Sequence, residues 1–168
     1  MSMSGDPLSR GRETFERHQW QVSFESLVVA DKAQPLGAQD LERLAWSARW
    51  CGRYDDIAPA LERAEREYAG CGDRRGAART ALCLAYAHAD RGNDAVASGH
   101  FARAGRMLDE LPESPEHGVR AWMIAAGALR RGDNSLARKM AESALAIGIR
   151  LGDAETRAMA TLWLGHVL

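Results

Sequence analysis

The sequence predicts an all-α protein of helix hairpins stacked in series, and three observations predict it. Thirty of its 168 residues are Ala and seventeen are Leu, against fourteen Val, Ile and Thr together, a composition that favours helix and disfavours sheet. Short turns recur at His18, Gly52, Gly92 and Gly132, each followed by apolar residues spaced by four and then three, one face of a helix. The stretch before each turn has helical periodicity as well, so the repeating unit is a helix–turn–helix pair.

The first copy places Leu27 and Ala30 behind its turn, and the second places Leu61 and Ala64 at the same offsets. The third and fourth continue with Phe101 then Ala104, and with Ala141 then Ala144. Upstream helices repeat Leu41, Leu44, Ala45 and Ala48 as Ala81, Leu84, Ala85 and His88, then as Ala121, Ile124, Ala125 and Ala128. Small residues at the eighth position of each unit (Gly11, Ala45, Ala85, Ala125) let antiparallel helices approach closely enough for larger neighbours to interlock. The units run over about 4–37, 38–77, 78–117 and 118–157, with a partial fifth at 158–168, and together form a single repeat domain. Pro59 is expected to bend the second helix of copy two, because it removes a backbone donor. Asp109 to Gly118, with Pro112 and Pro115, is expected to be the longest loop. The last segment, Asp153 to Leu168, leads into the fifth copy, which aligns Leu164-Gly165 with Leu84-Ala85 and Ile124-Ala125. Its apolar end is unlike the polar cap of a finished solenoid, so the chain is expected to be the N-terminal part of a longer protein or to bury this end in a partner.

This pattern resembles the tetratricopeptide repeat. Gly11, Ser23, Leu27, Ala30 and Pro35 of the first copy, and Leu84, Ala85, Ala97, Phe101 and Ala104 of the third, stand at matching signature positions. Copies two to four lack the terminal Pro, and two links are longer. The resemblance implies a tetratricopeptide-like α-solenoid of four helix hairpins and a terminal helix, wound as a right-handed superhelix. The runs Gly11-Arg12-Glu13, Asp40-Leu41-Glu42-Arg43-Leu44-Ala45 and Ala144-Leu145-Ala146-Ile147-Gly148-Ile149-Arg150-Leu151-Gly152-Asp153 look like the N-terminal repeat region of actinobacterial LuxR-type helix-turn-helix transcriptional regulators. That likeness implies a sensory or interaction module, and nothing in the chain matches the DNA-binding domain that follows in such regulators.

Several function classes are disfavoured. The net charge of −1, with twenty Arg and two Lys against twenty-three acids, offers no general attraction for nucleic acid. The basic residues Arg130, Arg131, Arg138 and Lys139 around a turn are explained by the repeat register without DNA. The longest stretch free of Asp, Glu, Lys and Arg, Ala158–Leu168, is far shorter than the roughly 20 residues of a membrane span. Met1 to Arg12 has no apolar region of the secretory type, and three cysteines without short-range pairing fit a reducing, cytoplasmic setting. Gly70-Cys71-Gly72-Asp73-Arg74-Arg75-Gly76 follows a charged helix rather than a strand, so it reads as an inter-repeat loop with Gly caps and not as a dinucleotide fingerprint. The five histidines and three cysteines show no zinc-ligand spacing; His88 falls on the inward face, as a hydrogen-bonded packing residue. Ser98-Gly99-His100 lacks the strand-to-helix elbow of a hydrolase nucleophile. The expectation is a protein that is not an enzyme and carries no cofactor or metal.

The functional signal is aromatic. If the tetratricopeptide resemblance holds, the concave wall is built from first-helix positions that carry Leu8, Arg12 and Phe15, then Glu42, Trp46, Arg49 and Trp50, then Arg79, Leu82 and Tyr86. Trp122, Ala126, Leu129 and Arg130 follow, and Leu162 comes from the partial fifth copy. Trp46 and Trp50 lie one turn apart on one face, and with Tyr86 and Trp122 they are expected to form an aromatic strip for an extended peptide or flat apolar ligand. The same positions also suit rings packed on one another across a tightly coiled groove. The leading expectation is a protein- or ligand-binding module of a transcriptional regulator. A free-standing assembly scaffold, or a domain fused to an enzyme such as a cyclase, is the alternative. Leu162, Leu164, Val167 and Leu168 present an apolar face expected to drive homo-oligomerisation or partner docking.

Overall fold

A computed structural model of the chain describes residues 6–167. The fold is all-α, with nine helices and no strand among the described residues. They are α1 (Pro7–Glu16), α2 (Trp20–Ala33), α3 (Ala38–Trp50), α4 (Tyr54–Gly70), α5 (Arg74–Asp90), α6 (Asp94–Leu108), α7 (Pro115–Arg130), α8 (Asn134–Leu151) and α9 (Ala154–Val167). The chain divides into two compact units, residues 1–100 and 101–168.

One turn design recurs. Gly52, Gly72, Gly92, Gly132 and Gly152 each end a helix in the left-handed region, with φ between 67° and 78°. The next residue donates its N–H back into the last turn of the helix just ended. Arg53 reaches Ala48, Asp73 reaches Tyr68, Asn93 reaches His88, Asp133 reaches Ala128 and Asp153 reaches Gly148. The first turn makes the same bond from Gln19 to Thr14, with His18 at φ 57° in the glycine position. Asp73, Asp133 and Asp153 then cap the following helix through their carboxylates. At Gly72-Asp73, Gly132-Asp133 and Gly152-Asp153 a Gly followed by Asp therefore closes one helix and opens the next.

In the first unit, α1 packs on α2, α2 on α3, α3 on α4 and α4 on α5. Its core holds Leu27, Leu41, Leu61, Leu82 and Leu84, between the buried Ala45, Ala64 and Ala85. Gly11 faces Leu27 so closely that a Cβ there would lie 2.7 Å from Leu27 Cγ. Ser23 Oγ donates to the Gly11 carbonyl and Ser47 Oγ to Ser23 Oγ, a buried relay through α1, α2 and α3. Pro59 does not interrupt α4; it lies on the exposed side, where water can answer the carbonyl it leaves unpaired.

In the second unit α7 packs on α8, and α9 packs on both. Ala121, Ala125, Ala128, Ala137, Ala141, Ala144 and Ala160 are buried there. The loop expected at 109–118 ends earlier, because Pro115 takes the first helical position of α7, where its missing donor costs nothing. His117 seals the loop: its Nδ1 accepts from the Ser114 N–H, so Nε2 carries the proton and faces the Leu108 carbonyl at 3.1 Å.

Candidate functional site

The first helices of the first unit are tied together by ion pairs. Arg12 on α1 makes a two-pronged contact with Asp40 on α3, at 2.9 and 2.6 Å. Asp40 also accepts from Arg43. The Arg12 hydrogen bond holds the Asp40 carboxyl below its ordinary range, against the opposing effect of burial. Glu42 on α3 receives both prongs of Arg79 on α5 at 2.9 Å and the Tyr68 hydroxyl at 2.8 Å. Burial first, and then the Glu42 carboxylate, push the Tyr68 phenol up to about 12. Arg49 on α3 bonds Asp90 on α5 at 2.8 Å and lies over the Tyr86 ring, 4.7 Å from its centre. Four residues expected to present charge to a ligand (Arg12, Glu42, Arg49 and Arg79) are thus engaged between α1, α3 and α5.

Aromatic side chains gather where α1 turns into α2 and α3 into α4. Trp20, which opens α2, stacks on His18 at 5.0 Å and on Trp50 at 6.0 Å, and meets Phe15 edge-on at 5.4 Å. Arg43 reaches over Phe15. Trp50 is nevertheless 61% exposed, Trp46 on the same face of α3 is 37% exposed, and Tyr54 beyond the turn is 56% exposed.

The remaining expected site residues are placed differently. Leu82 is buried, and Tyr86 is half-buried under Arg49. In the second unit Trp122 is buried, Leu129 is half-buried and Arg130 is exposed. The aromatic surface available on the first unit is therefore Trp46, Trp50 and Tyr54, with Trp20 behind it, rather than a strip running through Tyr86. On α9, Leu162 is exposed while Leu164 and Val167 are half-buried; Leu168 lies outside the described residues. Ile149 and Leu151, near the end of α8, are also exposed.

The first unit also has a cleft of about 750 Å³, lined by the end of α3, the start of α4 and the end of α5. Its lining includes Ile57, Ala58 and Ala87 as apolar surface and Arg49, Asp55, Asp90 and Arg91 as charged groups. Arg91 bonds Asp55 at 2.8 Å, so two ion pairs border this cleft. His88, expected to be hydrogen-bonded, stacks instead on His100 at 5.6 Å, and both its ring nitrogens are buried without a hydrogen-bond partner among the described residues.

Sequence reasoning missed Asp40, Tyr68, Trp20 and the Asp55/Asp90/Arg91 group. A signal for Trp20 was present, since it follows a turn and precedes an apolar run, but its partner Trp50 is remote in sequence. Among the described residues no helix is long and apolar enough to cross a membrane, and no three His, Cys, Asp or Glu side chains converge as a metal site. Cys51, Cys71 and Cys83 form no disulfide among the described residues, and burial pushes the Cys51 thiol up. No protein-family model matches the chain, and no curated protein matches it.

Proposed function

We propose that this chain is a non-enzymatic binding module of tetratricopeptide-like helix hairpins, the sensory or interaction region of a LuxR-type transcriptional regulator. One observation carries the binding reading. Trp46 and Trp50 stand exposed one turn apart on α3, and Trp50 is backed by Trp20, so the ring is both accessible and held in orientation. Exposed, pre-ordered aromatic rings with arginines beside them are what peptide and ligand surfaces use, because a rigid ring loses little entropy on binding. The ligand is an extended peptide or a flat apolar molecule lying across α3. The test is tryptophan emission during titration with a library of extended peptides, repeated on Trp50→Ala. A response lost with Trp50→Ala while the fold is retained supports the reading; unfolding of that variant makes the ring structural and removes it.

A second reading, an assembly scaffold, is favoured by the exposed Ile149, Leu151 and Leu162 on α8 and α9. Large apolar side chains in water favour self-association or partner docking. Reading the coding sequence beyond Leu168 separates these readings: a helix-turn-helix domain supports the regulator, a stop codon the scaffold, and a catalytic domain an enzyme fusion.

A further inference from the structure

The cleft bordered by α3, α4 and α5 has a chemistry distinct from the aromatic face. Its apolar lining is Ile57, Ala58 and Ala87, together with the Tyr54 ring that it shares with the aromatic face. Two opposite-charge pairs border it, Arg49 with Asp90 and Arg91 with Asp55. Each pair is joined by a single contact from one guanidinium nitrogen to one carboxylate oxygen, so each arginine keeps donors and each aspartate keeps acceptor capacity. The two cations and two anions balance. A simple anion placed there meets Asp55 and Asp90 as well as the arginines, and a simple cation meets Arg49 and Arg91. A molecule carrying both charges finds an opposite partner for each and brings no net charge into the cleft. The volume of about 750 Å³ falls within the range of small-molecule sites, about 300–1,000 Å³.

We infer that this cleft is a small-molecule site for a zwitterion of the α-amino-acid or dipeptide type with an apolar side chain. Its carboxylate pairs with Arg49 and Arg91, its ammonium with Asp55 and Asp90, and its side chain lies on Ile57, Ala58 and Ala87. The inference rests on the reading of the chain as a binding module and names a ligand class for a cleft that shares Tyr54 with the aromatic face but is lined by neither Trp46 nor Trp50.

The experiment is calorimetric titration of the full chain with L-alanyl-L-phenylalanine, with its N-acetyl form (anion only) and with its C-terminal amide (cation only). The expected result is binding of the zwitterion, weakened at least tenfold by either capping. Arg91→Gln is expected to weaken it at least tenfold, and Ala58→Trp, which fills the cleft, to abolish it; helical circular dichroism checks the fold of each. Trp50→Ala is expected to leave zwitterion affinity within twofold. No binding of the dipeptide, equal binding of a capped form, or full affinity in Arg91→Gln overturns the inference. An affinity that falls with Trp50→Ala as far as with Arg91→Gln also overturns it, since the site is then the aromatic face. Absence of any tryptophan response to the peptides in the wild-type chain, with zwitterion binding intact, removes the aromatic-face reading alone.

Discussion

The indole of Trp50 stacks on that of Trp20, with ring centroids 6.0 Å apart and planes 21° from parallel. One ring ends α3 and the other begins α2, so the pair ties neighbouring hairpins at their turns. Such a pair contributes about 0.5–1.5 kcal/mol beyond area burial. Because Trp50 remains largely in water, Trp50→Ala is expected to lower stability by about 1 kcal/mol in urea unfolding while weakening ligand binding by about 2 kcal/mol or more. Trp20→Ala is expected to cost more stability than Trp50→Ala, since Trp20 also meets His18 and Phe15. The reverse order would place the ordering role on Trp50.

Small residues at helix crossings set how closely the hairpins pack. Gly11→Ala would put a methyl 2.7 Å from Leu27 Cγ, and Leu27 is fully buried. Ala85→Leu and Ala125→Leu enlarge side chains that are almost wholly enclosed. Each change is expected to cost about 1–3 kcal/mol by overpacking. Unchanged thermal melts for Ala85→Leu and Ala125→Leu would count against the repeat register.

The Arg12–Asp40 pair predicts an acid-sensitive component of stability. The folded Asp40 carboxyl titrates below its unfolded counterpart, chiefly because Arg12 hydrogen-bonds it. Its contribution is therefore fully present above about pH 4 and is lost as pH falls through the folded value. Arg12 is half-exposed and regains water when the pair is broken, so Asp40→Asn is expected to cost only about 1–2 kcal/mol at neutral pH. The difference between wild type and variant should narrow below about pH 4 in urea unfolding across pH; a constant difference would mean that the pair does not titrate with folding.

His18 occupies, at φ 57°, the position that glycine holds in the other tight turns. A left-handed conformation costs an L-residue about 1–2 kcal/mol. His18→Ala keeps that cost and loses the stack on Trp20, whereas His18→Gly loses the stack but relieves the backbone. The glycine variant is expected to be more stable than the alanine variant by about 1 kcal/mol in denaturant midpoints. Equal midpoints would show that the turn relaxes without glycine.

If α8 and α9 provide a docking face, the exposed Leu162 lies on it. Leu162→Asp is expected to shift sedimentation at high concentration from a dimer or larger species to monomer, without loss of helicity. A wild-type monomer at the same concentration would remove the self-association reading.

The sequence by itself determined the helices and their turns. Leu41/Leu44/Ala45/Ala48 and its copies specify a helical face through local periodicity, and Gly92-Asn93 or Gly132-Asp133 specifies a turn through the only residue that enters the left-handed region at little cost. These signals lie within a few residues of one another, so no tertiary information is needed to read them. Pro115 was legible as a breaker but not as a helix start, because both uses exploit the same missing donor. Tertiary structure alone decided which groove residues stay open. Arg12, Glu42, Arg49 and Arg79 share a register with Trp46 and Trp50, yet their partners Asp40, Asp90 and Tyr68 come from other helices or other turns of the same wall. Whether such a side chain meets water or an opposite charge depends on how far consecutive first helices are shifted along one another. Consecutive first helices meet chiefly through the second helix between them. That shift is therefore set by close contacts such as Gly11 of α1 against Leu27 of α2 and the Ser23–Ser47 hydrogen bond from α2 to α3, and periodicity within a single helix carries no measure of it.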